Sequence, residues 1–348
     1  MKAGIMGTRG SGKSTVFHAL TGLKPLEGQG DSKNRGRPGQ IRIPDPRNDF
    51  LERCYGSKKK VSVELTVMDF APNPKDQKAG AALDPTLLPL LRDLDALLLV
   101  VPQFHGNSPD VADAVDKLES ELVFADFEQI ERRLERLKKE KGANDLEKVT
   151  LEKCLARLET GAPLRTLELS PQETAQISNF CFLSQQPALV VINCEQEHYA
   201  DEVGANVREK LASRGLYLFK LPAVFEAELW ELGESERAEM LREANLDAPA
   251  RDRLVRALYD HLGLITFYTA GEPESHAWSL RKGASALEAA GRIHSDIAKG
   301  FIRAEVVSYE DFAELQSDAK VKAAGKLRLE GRDYVMRDGD MIHIRFKV

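Results

Sequence analysis

Gly7-Thr8-Arg9-Gly10-Ser11-Gly12-Lys13-Ser14 decides how the rest of the chain is read. It matches G-x-x-x-x-G-K-[ST] in full, and each part has a physical task. The glycines let the backbone turn tightly and aim successive N–H groups inward. A helix that follows adds its positive N-terminus beneath bound phosphates. Lys13 brings a point charge to the β- and γ-phosphates, and Ser14 brings a hydroxyl ligand for Mg²⁺. A glycine-rich turn can arise without a ligand, so the flanks matter. Lys2 to Met6 reads as a short apolar strand. Ser14 to Leu23 reads as a helix with Val16, Ala19, Leu20 and Leu23 on one side. Strand, loop and helix are the context the pattern requires. Arg9 to Thr15 are therefore the expected nucleotide-binding residues, with Lys13 the catalytic one.

Further strands follow. Val61, Val63, Leu65 and Val67 alternate up to Asp69. Ala96 to Val101 and Ala188 to Ile192 are apolar throughout, as strands buried on both faces are. Leu216 to Leu221 is another. Strands alternating with helical segments imply an α/β fold with a parallel sheet and right-handed crossovers. Asp69, at a strand end, reads as the acid that supports Mg²⁺, or as a turn former. Asn193, with Cys194 and Glu195 after it, stands where such folds contact the base; an Asx turn is the alternative reading for the asparagine. These three join the expected nucleotide-binding set, and Ser14 and Asp69 form the expected metal pair.

From Asp110 to Glu159 the chain is rich in Leu, Glu, Lys and Arg, with Leu recurring at spacings of three and four. Gly142-Ala143-Asn144 interrupts it. Two antiparallel helices forming an inserted arm are expected, the first about 48 Å long if it runs from Asp110 to Lys141. Arg132, Arg133, Arg136, Lys138, Lys139 and Lys141 read either as a partner-binding stripe or as a solvated face with i,i+4 pairs. After Leu264 come short β-type runs, ending in the turn Arg337-Asp338-Gly339-Asp340 and the alternation Met341 to Phe346. The expected division is 1–107 and 186–263 for the nucleotide domain, 108–185 for the arm, and 264–348 for a small β-rich domain.

The bulk properties narrow the function classes. The 348 residues suffice for two or three domains. A net charge of −6 argues against a whole-protein affinity for nucleic acid, while leaving local basic faces open. Cys54, Cys154, Cys181 and Cys194 form no C-x-x-C pair and read as free thiols of a reducing compartment. No signal pattern and no run near the roughly 20 apolar residues of a membrane span is present, so a cytoplasmic location without membrane contact is expected. The histidines form no metal-ligand or triad pattern, and Trp230 and Trp278 read as packing residues.

Several long runs carry a resemblance. Phe267-Tyr268-Thr269-Ala270-Gly271, Ala289-Ala290-Gly291-Arg292-Ile293-His294-Ser295-Asp296 and Lys299-Gly300-Phe301-Ile302-Arg303-Ala304-Glu305 are three of them. Ile43-Pro44-Asp45-Pro46-Arg47, Glu131-Arg132-Arg133-Leu134-Glu135-Arg136-Leu137 and Glu226-Ala227-Glu228-Leu229 are others. Together they resemble the YchF/Obg-like ATPase family over nearly the whole chain. The resemblance implies a P-loop NTPase domain, a coiled-coil arm and a C-terminal TGS domain. It also implies ATP preferred over GTP, slow hydrolysis, Mg²⁺, and association with ribosomes, RNA or translation factors through arm and TGS domain, by a protein expected to be monomeric.

The departures are specific. Gly10-Ser11 replaces the family's Asn-Val. The region Glu27 to Gly39 has no Thr to complete a Mg²⁺ shell, Ser32 being the one hydroxyl. The family's Asp-x-Ala-Gly becomes Asp69-Phe70-Ala71-Pro72, and proline has no N–H for a γ-phosphate. The glycine-rich stretch that follows is replaced around Asp76 to Pro85. Asn193-Cys194-Glu195-Gln196 lacks the Asp of a guanine site and has Gln for the family's Glu. A slow ATPase switch is the expected function, with a hydrolysis-impaired nucleotide-binding adaptor and a GTPase as alternatives.

Overall fold

The computed structural model describes residues 1–25, 36–70, 85–104, 110–140 and 145–347. Ser32, Pro72, the Asp76–Pro85 replacement up to residue 84, Lys141 and the Gly142–Asn144 interruption lie outside the described residues. The strands run in chain order as β1 (Lys2–Gly7), β2 (Gly36–Arg42), β3 (Lys60–Val61), β4 (Glu64–Phe70), β5 (Ala96–Gln103) and β6 (Ala188–Cys194). They continue as β7 (Leu216–Leu221), β8 (Leu264–Ala270), β9 (Ser275–Arg281), β10 (Phe301–Ser308), β11 (Arg328–Glu330) and β12 (Asp340–Phe346). Two units divide them. One comprises Met1–Ile41 with Leu65–Leu254, the other Arg42–Glu64 with Val255–Val348.

In the first unit the sheet order is β2-β4-β1-β5-β6-β7. β1 pairs in parallel with β4 and β5, and β6 in parallel with β5 and β7. Leu97 to Val101 and Ala188 to Ile192 are buried on both faces, which explains their unbroken apolar runs. The helix Val111–Leu137 starts on an Asp110 cap whose carboxylate accepts from Ala112 N at 2.8 Å. Its 27 residues span about 40 Å. Only its second half is arm. Val115, Leu118 and Leu122 belong to the core under the sheet, whereas Ile130 and Leu137 pack with Leu151, Cys154 and Leu158 of the helix Asp145–Glu159. Arg133 fastens the two helices, reaching Glu147 at 2.7 Å and Glu140 at 2.9 Å. The returning chain is held by Arg165 on buried Glu119 at 2.7 Å and by the Leu183 and Ser184 amides on buried Asp126.

The second unit holds a sheet of order β11-β10-β12-β8-β9-β3. One face covers Phe267, Ala286, Ala289, Ala290, Val306 and Ile342. The opposite face packs Tyr268, Val307 and Met341 against Leu51, Phe312 and Val321. Leu51 lies on the helix Pro46–Tyr55, so the segment Arg42–Glu64 groups with the C-terminal strands, although the sequence reading placed all of 1–107 together. Its anchor is polar. Arg47 bonds Asp45 at 3.0 Å and Asp338 at 2.6 Å, the Tyr268 hydroxyl donates to Asp45, and Ser275 Oγ donates to Asn48 at 2.7 Å. The single strand expected from Val61 to Asp69 is accordingly two. Val61 pairs with His276 of β9, Val63 joins the second unit's core, and β4 begins afresh at Glu64. Alternation continues through the change of sheet because both stretches are half-buried.

Candidate functional site

β1 delivers the chain into the loop at Gly7, and the helix Lys13–Thr21 carries it away. Two glycines meet a backbone demand that L residues resist: φ is +83° at Gly10 and +85° at Gly12. Gly12 also has no room, since a Cβ there would lie 2.1 Å from Asn193 Nδ2. At Gly7 a Cβ would lie 2.5 Å from the Val100 carbonyl of β5. Gly10 has open space where its Cβ would stand, on the exposed side of the loop beside exposed Arg9. Lys13, Ser14 and Thr15 form the first turn, whose amides have no intrahelical partner and suit an anion.

The charged groups converge on this turn. Lys13 Nζ donates to the carbonyls of Gly7 at 2.7 Å and Thr8 at 2.9 Å, so the ammonium is held against the loop. Burial lowers its pKa, and Asp69 opposes that shift. For Asp69, burial raises the pKa, while Lys13, Arg37 and a hydrogen bond from the Ser14 hydroxyl pull it back. A lysine ammonium, a serine hydroxyl and a carboxylate thus meet at the end of β4. The hydroxyl and carboxylate are the hard oxygen donors that Mg²⁺ takes. Arg37 was not singled out from sequence. It lies on β2, with its guanidinium 5.3 Å from the Phe17 ring centroid, and only tertiary pairing brings it to Asp69.

Asn193 is the penultimate residue of β6 and is buried. Its Nδ2 donates to the Ser11 carbonyl at 3.1 Å, and its Oδ1 accepts from the Ala223 amide at 3.3 Å. Both ends of the amide are engaged by the protein, and the side chain is a strut between the loop and the helix Ala223–Glu228. That helix is itself pinned, because buried Glu226 accepts from the Ala250 amide at 2.9 Å and pairs with Arg253 at 2.8 Å. Cys194 is buried and Glu195 exposed. Gln196 Oε1 is buried with no donor among the described residues. Ser11 Oγ is likewise buried and unpartnered among them, inside the loop. Trp230 Nε1 donates to the Ala19 carbonyl at 2.9 Å, and its ring lies against Gly22, which secures the far end of the first helix.

A strand, glycine loop and helix on this parallel sheet place the chain among the P-loop nucleoside-triphosphatase folds. The family model YchF-GTPase_C, described as "Protein of unknown function (DUF933)", matches residues 264–347. The ribosome-binding ATPase YchF of Escherichia coli O157:H7 is 35% identical over 361 residues, covering 100% of this chain and 99% of its own. That of Bacillus subtilis (strain 168) is 34% identical over 371 residues, covering 100% of both. The solved structure of the Schizosaccharomyces pombe YchF GTPase superposes with a TM-score of 0.83 at 29% identity, over 99% of this chain and 97% of that one. The chain belongs to the YchF family.

Proposed function

We propose that this protein is a slow, ribosome-associated ATPase whose bound nucleotide acts as a switch. The observation that carries the proposal is the convergence of Lys13, Ser14 and Asp69 at the mouth of a glycine loop with two residues in the left-handed region. In this reading the amides of Arg9 to Thr15 cradle the phosphates, and Lys13 exchanges its two carbonyl acceptors for anionic phosphate oxygens, which accept more strongly. Ser14 holds Mg²⁺ directly and Asp69 supports it. The metal, when bound, neutralises charge on the β- and γ-phosphates. Asn193 keeps the loop in register, and the segment through Glu195 and Gln196 faces the base. Gln196 stands at the fourth position of Asn193–Gln196, where guanine-specific sites place an Asp carboxylate, and its amide favours adenine. The names of the YchF relatives, ribosome-binding ATPases, support the ribosome as partner. Among the described residues no helix is long and apolar enough to cross a membrane.

Two sequence features support a second reading. Pro72 has no N–H, and residues 27–39 contain no Thr, so a hydrolysis-impaired nucleotide-binding adaptor remains a defined alternative. Mg²⁺-dependent binding of ATP and GTP, with phosphate release followed in the same samples and with ribosomes added, separates the two. ATP binding lost in Lys13→Ala, with slow release, supports the switch. Binding without release under any condition supports the adaptor. No binding of either nucleotide refutes both.

A further inference from the structure

The second unit carries a cavity that no part of the nucleotide reading uses. Its volume is about 260 Å³, below the ~300–1,000 Å³ of sites that enclose small-molecule ligands and suited to one large side chain. Val307, Val321, Leu327 and Met341 supply its apolar lining, and Glu305, Asp318, Lys322, His343 and Arg345 its polar lining. One wall is closed by the Tyr55 hydroxyl on Asp318, at 2.7 Å, with the Tyr55 ring stacked on Phe312.

The rim opens onto the exposed part of the β10–β12 face. There Arg303 stands directly opposite Arg345, and Glu305 opposite both His343 and Leu329. Like charges facing across a strand pair are destabilising. Glu305 relieves one of them, accepting from Arg345 Nε at 3.0 Å and Nη2 at 2.8 Å. Arg303, and Lys322 at the cavity edge, have no ion-pair partner among the described residues, and both are exposed. Leu329, opposite Glu305 on β11, leaves 59% of its surface exposed.

From this arrangement we infer that the cavity and the adjoining face form a docking site for an acidic peptide segment, one apolar side chain entering the cavity and flanking carboxylates meeting Arg303 and Lys322. A nucleic-acid strand fits less well. Glu305 and Asp318 in the lining repel a continuous run of phosphates, whereas separate carboxylates can be spaced to avoid them. An isolated carboxylate between Arg303 and Arg345 instead removes the like-charge conflict. The site does not depend on the nucleotide reading.

A random-peptide display library panned against the full chain tests this. Enriched peptides are expected to carry an apolar residue flanked by Asp or Glu. Their binding, followed by fluorescence anisotropy as synthetic peptides, is expected to weaken with salt and by about tenfold or more in Arg303→Glu and in Lys322→Glu. Both positions are exposed, and unchanged thermal melting of these variants confirms that they fold. Lys13→Ala is expected to bind the peptides as the parent does. No enrichment, a basic consensus, or affinities indifferent to both charge reversals would overturn the inference. So would binding of a single-stranded oligouridylate that the same two variants abolish, which would make the face an RNA surface.

Discussion

The Gly12–Asn193 contact offers the sharpest test of how the loop is held. Gly12→Ala places a residue with a Cβ at φ +85°, which costs about 1–2 kcal/mol for an L residue. The Cβ would stand 2.1 Å from Asn193 Nδ2, so the buried amide must move. It then loses its bonds to Ser11 O and Ala223 N, about 1 kcal/mol each. Gly12→Ala should therefore destabilise the first unit by about 3–4 kcal/mol. Asn193→Ala removes the same two bonds and leaves the Ala223 amide unpaired, for about 2–4 kcal/mol. The double variant has no amide to displace, so Gly12→Ala adds only its backbone strain to the cost of Asn193→Ala. Its total should fall short of the sum of the singles by about 2 kcal/mol, within the coupling range of residues in contact. Thermal melts read this as a few degrees, at about 2–4 °C per kcal/mol for a unit of this size. Strict additivity would mean that the loop accommodates the methyl without touching Asn193, and would rule the strut out.

Three other outcomes follow from the same chemistry. Pro72→Gly restores an N–H where the family's glycine supplies one and should raise phosphate release by about tenfold or more, the scale of a hydrogen bond to a charged group; unchanged turnover would count against the missing-donor argument. Burial pushes the Asp45 carboxyl up, but its bonds from Arg47 and Tyr268 outweigh this and hold its pKa below the ordinary 3.8. The clamp's contribution is thus fully present above pH 3.8 and is lost as pH falls through the lower folded value. Arg47→Ala should cost the second unit about 1–3 kcal/mol near neutrality, and melts of the two proteins should draw together in acid. Iodoacetamide with mass spectrometry should label exposed Cys54 and Cys181 in the native protein and spare Cys194 and Cys154, the latter buried with its thiol pushed up to about 11.

The features legible from residue order alone are local. Gly7 to Ser14 is legible because a phosphate cradle needs particular residues at adjacent positions. The strands at Ala96 and Ala188 are legible because burial on both faces leaves no polar residue in the run. The helix spacing from Asp110 onward likewise follows from 3.6 residues per turn. Tertiary structure decided what depends on distant partners. Arg42–Glu64 looks like part of the nucleotide domain until Asp45, Arg47 and Asn48 meet Tyr268, Asp338 and Ser275, more than 200 residues away. The alternation from Val61 to Val67 hides a change of sheet, because period two reports half-burial and not which sheet supplies the neighbours. Asn193 shows its amide strut, and Arg37 its approach to Asp69, only when separate strands are laid side by side. Such side-chain pairings arise from strand order and register, which hydrophobic periodicity does not encode.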